Sequence, residues 1–155
     1  MEMAQDSVAI SAHLTVRDIQ QSMAVYDSLF GFRRKMMIPG PGGKVMHGEM
    51  TYRGCTLMLG PESVAHGMRA PLSLGGTPVS LFLYVEDIDA VYARAQTIPE
   101  VRIISPINDQ LFGCRTFVLH DPDGHQWMVA QQKQAMSAEE IEKAMAGNEH
   151  PPQHI

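Results

Sequence analysis

The strongest constraint in this sequence is that it repeats itself. Leu14-Thr15-Val16-Arg17-Asp18-Ile19 returns 69 residues later as Leu83-Tyr84-Val85-Glu86-Asp87-Ile88, and Gly54 to Met58 aligns with Gly124 to Met128 at a spacing of 70. Self-similarity at nearly the same spacing in two separate places points to a duplicated supersecondary module. In the first copy, Ile10, Ala12, Leu14 and Val16 alternate with polar or small residues, as a half-buried strand requires. Asp18 is placed to cap a helix, with Gln21 three residues on, and Ile19, Met23, Tyr26, Leu29 and Phe30 keep helical spacing until Gly31. Strands follow over Phe32 to Ile38, Val45 to Tyr52 and Cys55 to Leu59, the last two joined at Arg53-Gly54, with Pro39 to Gly43 as turn material.

The second copy has the same order. Ser80 to Val85 reads as a strand, Asp87 caps a helix carrying Ile88, Val91, Tyr92 and Ala95, and Val101 to Ile104 is a strand. Arg115 to His120 and His125 to Ala130 form a hairpin around Asp121-Pro122-Asp123-Gly124, where Pro suits position i+1 and Gly position i+3 of the turn. Ser137-Ala138-Glu139-Glu140 is a capping box for a short helix ending near Gly147, and residues 148–155 are expected to fray. The expected organisation is one domain over residues 1–155. It comprises a βαβββ module at 8–60, a Gly-, Pro- and Ser-rich linker at 61–78, a second βαβββ module at 79–132, and a C-terminal helix and tail at 133–155.

Composition narrows the function classes. Hydrophobic residues make up 45% of 155, enough for a core, and no run of about eighteen apolar residues suggests a membrane span. The N-terminus lacks the basic start and apolar stretch of a signal peptide, so a cytoplasmic location is expected. Cys55 and Cys114 stand far apart, which suggests neither a disulfide framework nor a cysteine zinc site. The net charge of -5, with Arg33-Arg34-Lys35 as the one basic cluster, argues against a nucleic-acid partner.

Two strand-helix-three-strand units with an Asp-Pro-Asp-Gly-His-x-Trp hairpin near the end resemble the vicinal oxygen chelate superfamily of glyoxalases, extradiol dioxygenases and bleomycin-resistance proteins. The likeness covers residues 8 to 132. It is greatest to the small bacterial glyoxalase/bleomycin-resistance branch, through Leu14-Thr15-Val16-Arg17-Asp18, Phe30-Gly31-Phe32, Tyr84-Val85-Glu86-Asp87 and Phe112-Gly113-Cys114-Arg115. The resemblance implies an α+β fold in which two βαβββ modules form an incomplete barrel around a shared cavity, and a homodimer. In metal-using members four ligands, mostly His, Glu or Gln, come from the first and last strands of each module. Counted from the Val-x-Asp before each helix and from the hairpin glycines, those positions fall on Ser11, Met58, Ser80 and Met128. None is a usual ligand for a divalent cation, so no metal and no other cofactor is expected.

Alternation lists the side chains that share a face with these positions. His13 and Thr15 follow from Ser11, and Phe82 and Tyr84 from Ser80. A two-residue turn at Arg53-Gly54 sets Met58 opposite Glu49 and Thr56 opposite Thr51, with His47 on the same face. A four-residue turn over 121–124 sets Met128 opposite Phe117 and Gln126 opposite Leu119, with Arg115 nearby. The predicted ligand-binding set is His13, His47, Glu49, Met58, Phe82, Tyr84, Arg115, Phe117, Gln126 and Met128. Among these, His13, His47 and Glu49 are candidates for a displaced metal site or an acid-base group, although His13 and Glu49 lie on strands with another strand between them, about 9 to 10 Å apart. For any one of them the alternative is a structural hydrogen bond.

Three weaker motifs are set aside. Gly40-Pro41-Gly42-Gly43-Lys44 lacks the first glycine and the Ser or Thr of a phosphate loop. Asp121-Pro122-Asp123-Gly124 lacks the remaining ligands of a calcium loop, and His66, His120 and His125 are expected to be solvated. The function expected is metal-independent binding of a small molecule, sequestering an amphipathic or aromatic compound. The alternatives are a glyoxalase-like lyase or isomerase, metal-dependent or using His13, His47 and Glu49, and an accessory subunit without a ligand.

Overall fold

In a computed structural model, which describes residues 9–147, the repeat is realised as two βαβββ modules. The first consists of β1 (Ala12–Val16), α1 (Ile19–Phe30), β2 (Arg33–Pro39), β3 (Val45–Tyr52) and β4 (Cys55–Pro61), with sheet order β1-β4-β3-β2. A connection carrying the short helix α2 (Pro71–Leu74) leads to the second. This consists of β5 (Ser80–Tyr84), α3 (Ile88–Thr97), β6 (Arg102–Asp109), β7 (Cys114–His120) and β8 (Gln126–Gln132), in the corresponding order β5-β8-β7-β6. In each, the first strand pairs in parallel with the last while the remaining pairs are antiparallel. The fold class is therefore α+β, as expected. Among the described residues two compact units result, one of residues 9–79 with 121–125, the other of 80–120 with 126–147.

Local chemistry accounts for the elements. Asp18 and Asp87 each accept the backbone N–H three residues on, as helix N-caps do, and α1 ends where Gly31 turns left-handed at φ 83°. The hairpin turn at Arg53-Gly54 has positive φ at both positions, 47° and 80°, the primed geometry that matches strand twist. Its register is the predicted one, with Glu49 opposite Met58 and Thr51 opposite Thr56. The capping box is present at Ser137 and Glu140, and starts α4 (Ala138–Ala146). The tail expected to fray at 148–155 lies outside the described residues. β6 runs to Asp109, beyond the predicted Ile104, past two irregularities in its pairing that interrupt the alternation on which the sequence reading relied.

In the first unit, α1 covers one face of the sheet. Leu14, Val16, Met50, Leu57 and Leu59 are buried there with Ile19, Met23, Tyr26 and Leu29. Gly48 admits the helix, because a Cβ on it would lie 2.8 Å from Ile19 Cγ2. The loop 121–125 belongs to this unit and is held by buried polar groups. Tyr26 donates its hydroxyl to Asp121 Oδ2 at 2.5 Å, while Asp121 Oδ1 accepts from the backbone N–H of Asp123 and of His125, both at 3.0 Å. Asp123 accepts from Arg17 through both backbone and guanidinium, and from the Ser22 hydroxyl. Burial first, and then the Asp121 carboxylate, push the Tyr26 hydroxyl well above its ordinary pKa, so it stays a donor.

The second hairpin departs from its predicted register. Gly124 donates to Asp121 O as a type I turn requires, but its φ of 88° adds a left-handed residue, and Asp121 pairs with His125. Phe117 therefore stands opposite Val129, Val118 opposite Met128, and His120 opposite Gln126. This corrects the expected pairs Phe117 with Met128 and Leu119 with Gln126. Because a slip of one residue exchanges faces, Arg115 and Phe117 lie on the other side of the sheet from Met128 and Gln126.

Replacing Tyr26 by Phe keeps the ring packing and removes one bond to a buried carboxylate. The expected cost is about 1.5 to 3 kcal/mol of stability, read as a lowered urea midpoint with an unchanged denaturant slope.

Candidate functional site

The face of the first sheet opposite α1 gathers the predicted His13, His47 and Glu49. His13, Met58, Glu49 and Met36 occupy one register row across β1, β4, β3 and β2. His13 and Glu49 are thus separated by Met58, as expected. The contact between them runs through the neighbouring row. His13 leans over Gly60, where a Cβ would lie 2.7 Å from its Cε1, and its ring stacks on His47 at a centroid distance of 5.9 Å. His47 Nε2 is 3.0 Å from Glu49 Oε1, and Lys35 Nζ is 3.4 Å from Glu49 Oε2.

Lys35 is a residue that the sequence reading missed. The register of β2 against β3 slips by one between Arg34 and Met36, so that Lys35 and Met36 stand together against Glu49. Plain alternation along β2 does not signal it, because the slip sets both Lys35 and Met36 against one residue of β3.

Glu49 is buried, at 9% exposure, yet its pKa is lowered. The His47 hydrogen bond is the largest cause and outweighs desolvation, and Lys35 adds to it. Glu49 is therefore a carboxylate at neutral pH. With Nε2–H of His47 donating to the Glu49 carboxylate, Nδ1 is the ring nitrogen that this bond leaves over. The cluster offers two imidazoles, one exposed ammonium and an ionised carboxylate within one surface, a set able to orient a polar ligand or to shuttle a proton.

In the second unit, Ser80, Phe82 and Tyr84 of β5 pair with Gln126, Met128 and Ala130 of β8, so all six share the face away from α3. Phe82 and Tyr84 are 47% and 52% exposed, and their rings lie 5.1 Å apart. Of the predicted set, Phe117 instead packs edge-on against Tyr92 of α3, at 5.0 Å. Arg115 bridges Asp89 of α3 and Asp109, each at 3.2 Å, and its pKa is raised by Asp109 first and Asp89 second. Arg115 borders a cavity of about 500 Å³ on that side, together with Cys114 and Lys133, and its charge there is already matched by two carboxylates.

Two of the three histidines expected to be solvated are instead partly buried and bonded. His125 Nε2 lies 2.8 Å from Thr15 O, and His120 Nε2 lies 3.2 Å from Gln126 Oε1. His66 is exposed and pairs with the Ser63 hydroxyl.

The inherited metal positions do not suit a divalent cation. Met58 and Met128 present thioethers, which are soft, and the Ser80 oxygen is a neutral hydroxyl that accepts from Gln126 Nε2 at 2.8 Å. Among the described residues, no three His, Cys, Asp or Glu side chains are grouped so as to hold a metal ion.

These modules define the class. Residues 5–129 match the Glyoxalase/Bleomycin resistance protein/Dioxygenase superfamily, and the chain belongs to it. Among curated relatives, the uncharacterized protein Rv0887c of Mycobacterium tuberculosis is 36% identical over 141 residues, covering 89% of this chain and 82% of its own. The uncharacterized protein Mb0911c of Mycobacterium bovis is equally similar, with 92% of its length covered. Of the solved structures, TioX from Micromonospora sp. ML1 superimposes with a TM-score of 0.63 at 21% identity, over 81% of this chain and 99% of that one. The genomically encoded fosfomycin resistance protein FosX from Listeria monocytogenes does so at 0.60 and 16% identity, over 87% and 98%. At these identities both are likenesses of fold. Among the described residues no helix is long and apolar enough to cross a membrane.

Two outcomes test this geometry. Glu49, with its lowered pKa, contributes stability that is present above the ordinary glutamate range and lost as pH falls through the lowered value. The stability difference between Glu49→Gln and the parent is therefore full at neutral pH and fades in acid, as pH-dependent urea titrations would record. Gly60→Ala places a methyl group against the His13 ring. It is expected to displace that ring from His47, visible as shifts of both imidazole signals in proton-nitrogen spectra while the fold is retained.

Proposed function

We propose that this member of the superfamily is a metal-independent small-molecule binding protein that sequesters an amphipathic or aromatic compound. The observation that carries the reading is the His13-His47-Glu49-Lys35 cluster. Its charges are matched internally, while His13 and Lys35 remain exposed and offer polar atoms at the surface. Such a cluster gives orientation and specificity without demanding a highly charged ligand. The exposed Phe82 and Tyr84 rings supply an apolar surface on the second module. Serine and methionine at the inherited metal positions support binding without a metal. From the family resemblance we carry over a homodimer and a cytoplasmic location. Sedimentation of the intact chain tests the first, and fractionation of the source cells the second.

One observation favours a second reading. The imidazole of His47 is oriented by an ionised Glu49, the arrangement in which a carboxylate fixes the tautomer of a general base. In that case the protein is a metal-free lyase or isomerase with His47 Nδ1 as the base.

Thermal-shift screening of amphipathic and aromatic compounds, run with a chelator and again with added zinc, manganese or nickel, separates the readings. Binding is expected to be the same in both conditions, and His13→Ala or Glu49→Gln to weaken it about tenfold, or about 1.4 kcal/mol. A requirement for added metal would overturn the proposal. Turnover of a bound compound that is abolished in Glu49→Gln would establish the second reading.

A further inference from the structure

One register row of the second sheet carries a hydrogen-bond chain across all four strands. Arg102 on β6, His120 on β7, Gln126 on β8 and Ser80 on β5 are paired in that order. Arg102 Nη2 lies 3.5 Å from His120 Nδ1, His120 Nε2 lies 3.2 Å from Gln126 Oε1, and Gln126 Nε2 lies 2.8 Å from Ser80 Oγ. Donor capacity gives the chain a direction. A guanidinium only donates, so Nδ1 of His120 accepts. Its Nε2–H then goes to the Gln126 carbonyl, and the Gln126 amide donates to Ser80. The Ser80 hydroxyl ends the chain, and its proton is not used within it.

Next to that donor lies an aromatic surface. Phe82 and Tyr84 follow Ser80 on the same face of β5, exposed and 5.1 Å apart, with Met128 in register beside Phe82. Ser80 and Phe82 are two residues apart along the strand, roughly 7 Å, which matches the reach of a fused two-ring system bearing one substituent. Arg102 stands three strands away, roughly 14 Å, too far to touch a ligand at Ser80. It acts as a positioning residue by fixing the tautomer of His120. Among the described residues no carboxylate is ion-paired with it, in contrast to Arg115.

We propose that this face of the second module binds a planar aromatic compound carrying an oxygen acceptor, its ring on Phe82 and Tyr84 and its carbonyl or carboxylate oxygen on the Ser80 hydroxyl. Where the family resemblance implies a metal ligand, this chain ends a polarised run of hydrogen bonds. A hydroxyl donor thus takes over the task of holding a ligand oxygen. The inference rests on the small-molecule reading above and shares Phe82 and Tyr84 with it, but its polar anchor is the Ser80 hydroxyl instead of the His13-His47-Glu49-Lys35 cluster, so the two fail separately.

The test compares 2-naphthoate, 2-naphthamide and 2-methylnaphthalene on the intact protein by calorimetry and side-chain nuclear magnetic resonance. Naphthoate and naphthamide are expected to bind at least tenfold more tightly than methylnaphthalene and to shift the Gln126 and His120 side-chain signals. Ser80→Ala, a small change at an exposed position, is expected to remove that advantage and leave methylnaphthalene unaffected, whereas Phe82→Ala weakens all three. Arg102→Gln is expected to change the imidazole nitrogen shifts that report the His120 tautomer and to weaken naphthoate severalfold. Equal binding of the three compounds, or an unchanged advantage in Ser80→Ala, would overturn the inference. So would naphthoate shifts confined to His13 and His47, although these would support the binding proposal above.

Discussion

With φ at 88°, Gly124 turns the chain one residue later than a plain type I hairpin would, and Asp121 meets His125 across the strands. Every side chain of β7 and β8 takes its face from that meeting. Phe117, Leu119 and Arg115 turn toward α3, while Val118, His120, Met128 and Gln126 turn away from it. An added Cβ at Gly124 would also lie 3.2 Å from Leu72 Cγ and 3.3 Å from the Leu72 backbone nitrogen, so both conformation and space call for glycine. The loop around it is fixed by Asp121 and Asp123, each satisfied by several donors, so the left-handed turn is held by a buried polar network.

Duplication gave the two modules the same rows, and substitution gave those rows different chemistry. The row Ser80, Gln126, His120 and Arg102 has side chains long enough to bridge neighbouring strands. The matching row of the first module pairs Arg33 with Thr51 and Thr51 with Thr56, whose short hydroxyls have no such reach. One row further along, the first module carries His13, Met58 and Glu49 where the second carries Phe82, Met128 and Val118. One scaffold thus presents a charged, self-compensated surface on one unit and an aromatic surface on the other.

The parts of this arrangement legible in the sequence were those set by short-range rules. The period of the repeat, the aspartate caps, the two-residue turn at Arg53-Gly54 and the alternation on β1, β3, β4 and β5 led to His13, His47, Glu49, Phe82 and Tyr84 on the stated faces. What escaped depends on irregularities that alternation cannot register. The slip at Lys35 adds a cation to the Glu49 cluster, and the extra left-handed residue at Gly124 exchanges the faces of Arg115 and His120. The stacking of His13 on His47 escaped for a different reason. It depends on the missing side chain of Gly60, which in the sequence is one glycine among thirteen.

The slip at Lys35 also bears on what this protein avoids. β2 is an outer strand of its sheet, and a straight outer strand presents a row of backbone donors and acceptors to any passing chain. Here the row is interrupted at Lys35 and again near Pro39, and Arg33, Arg34 and Lys35 crowd its start with positive charge. A strand approaching from outside would find no unbroken ladder to join. The irregularity that brings a lysine to Glu49 thus helps to keep an exposed sheet margin from recruiting unrelated strands.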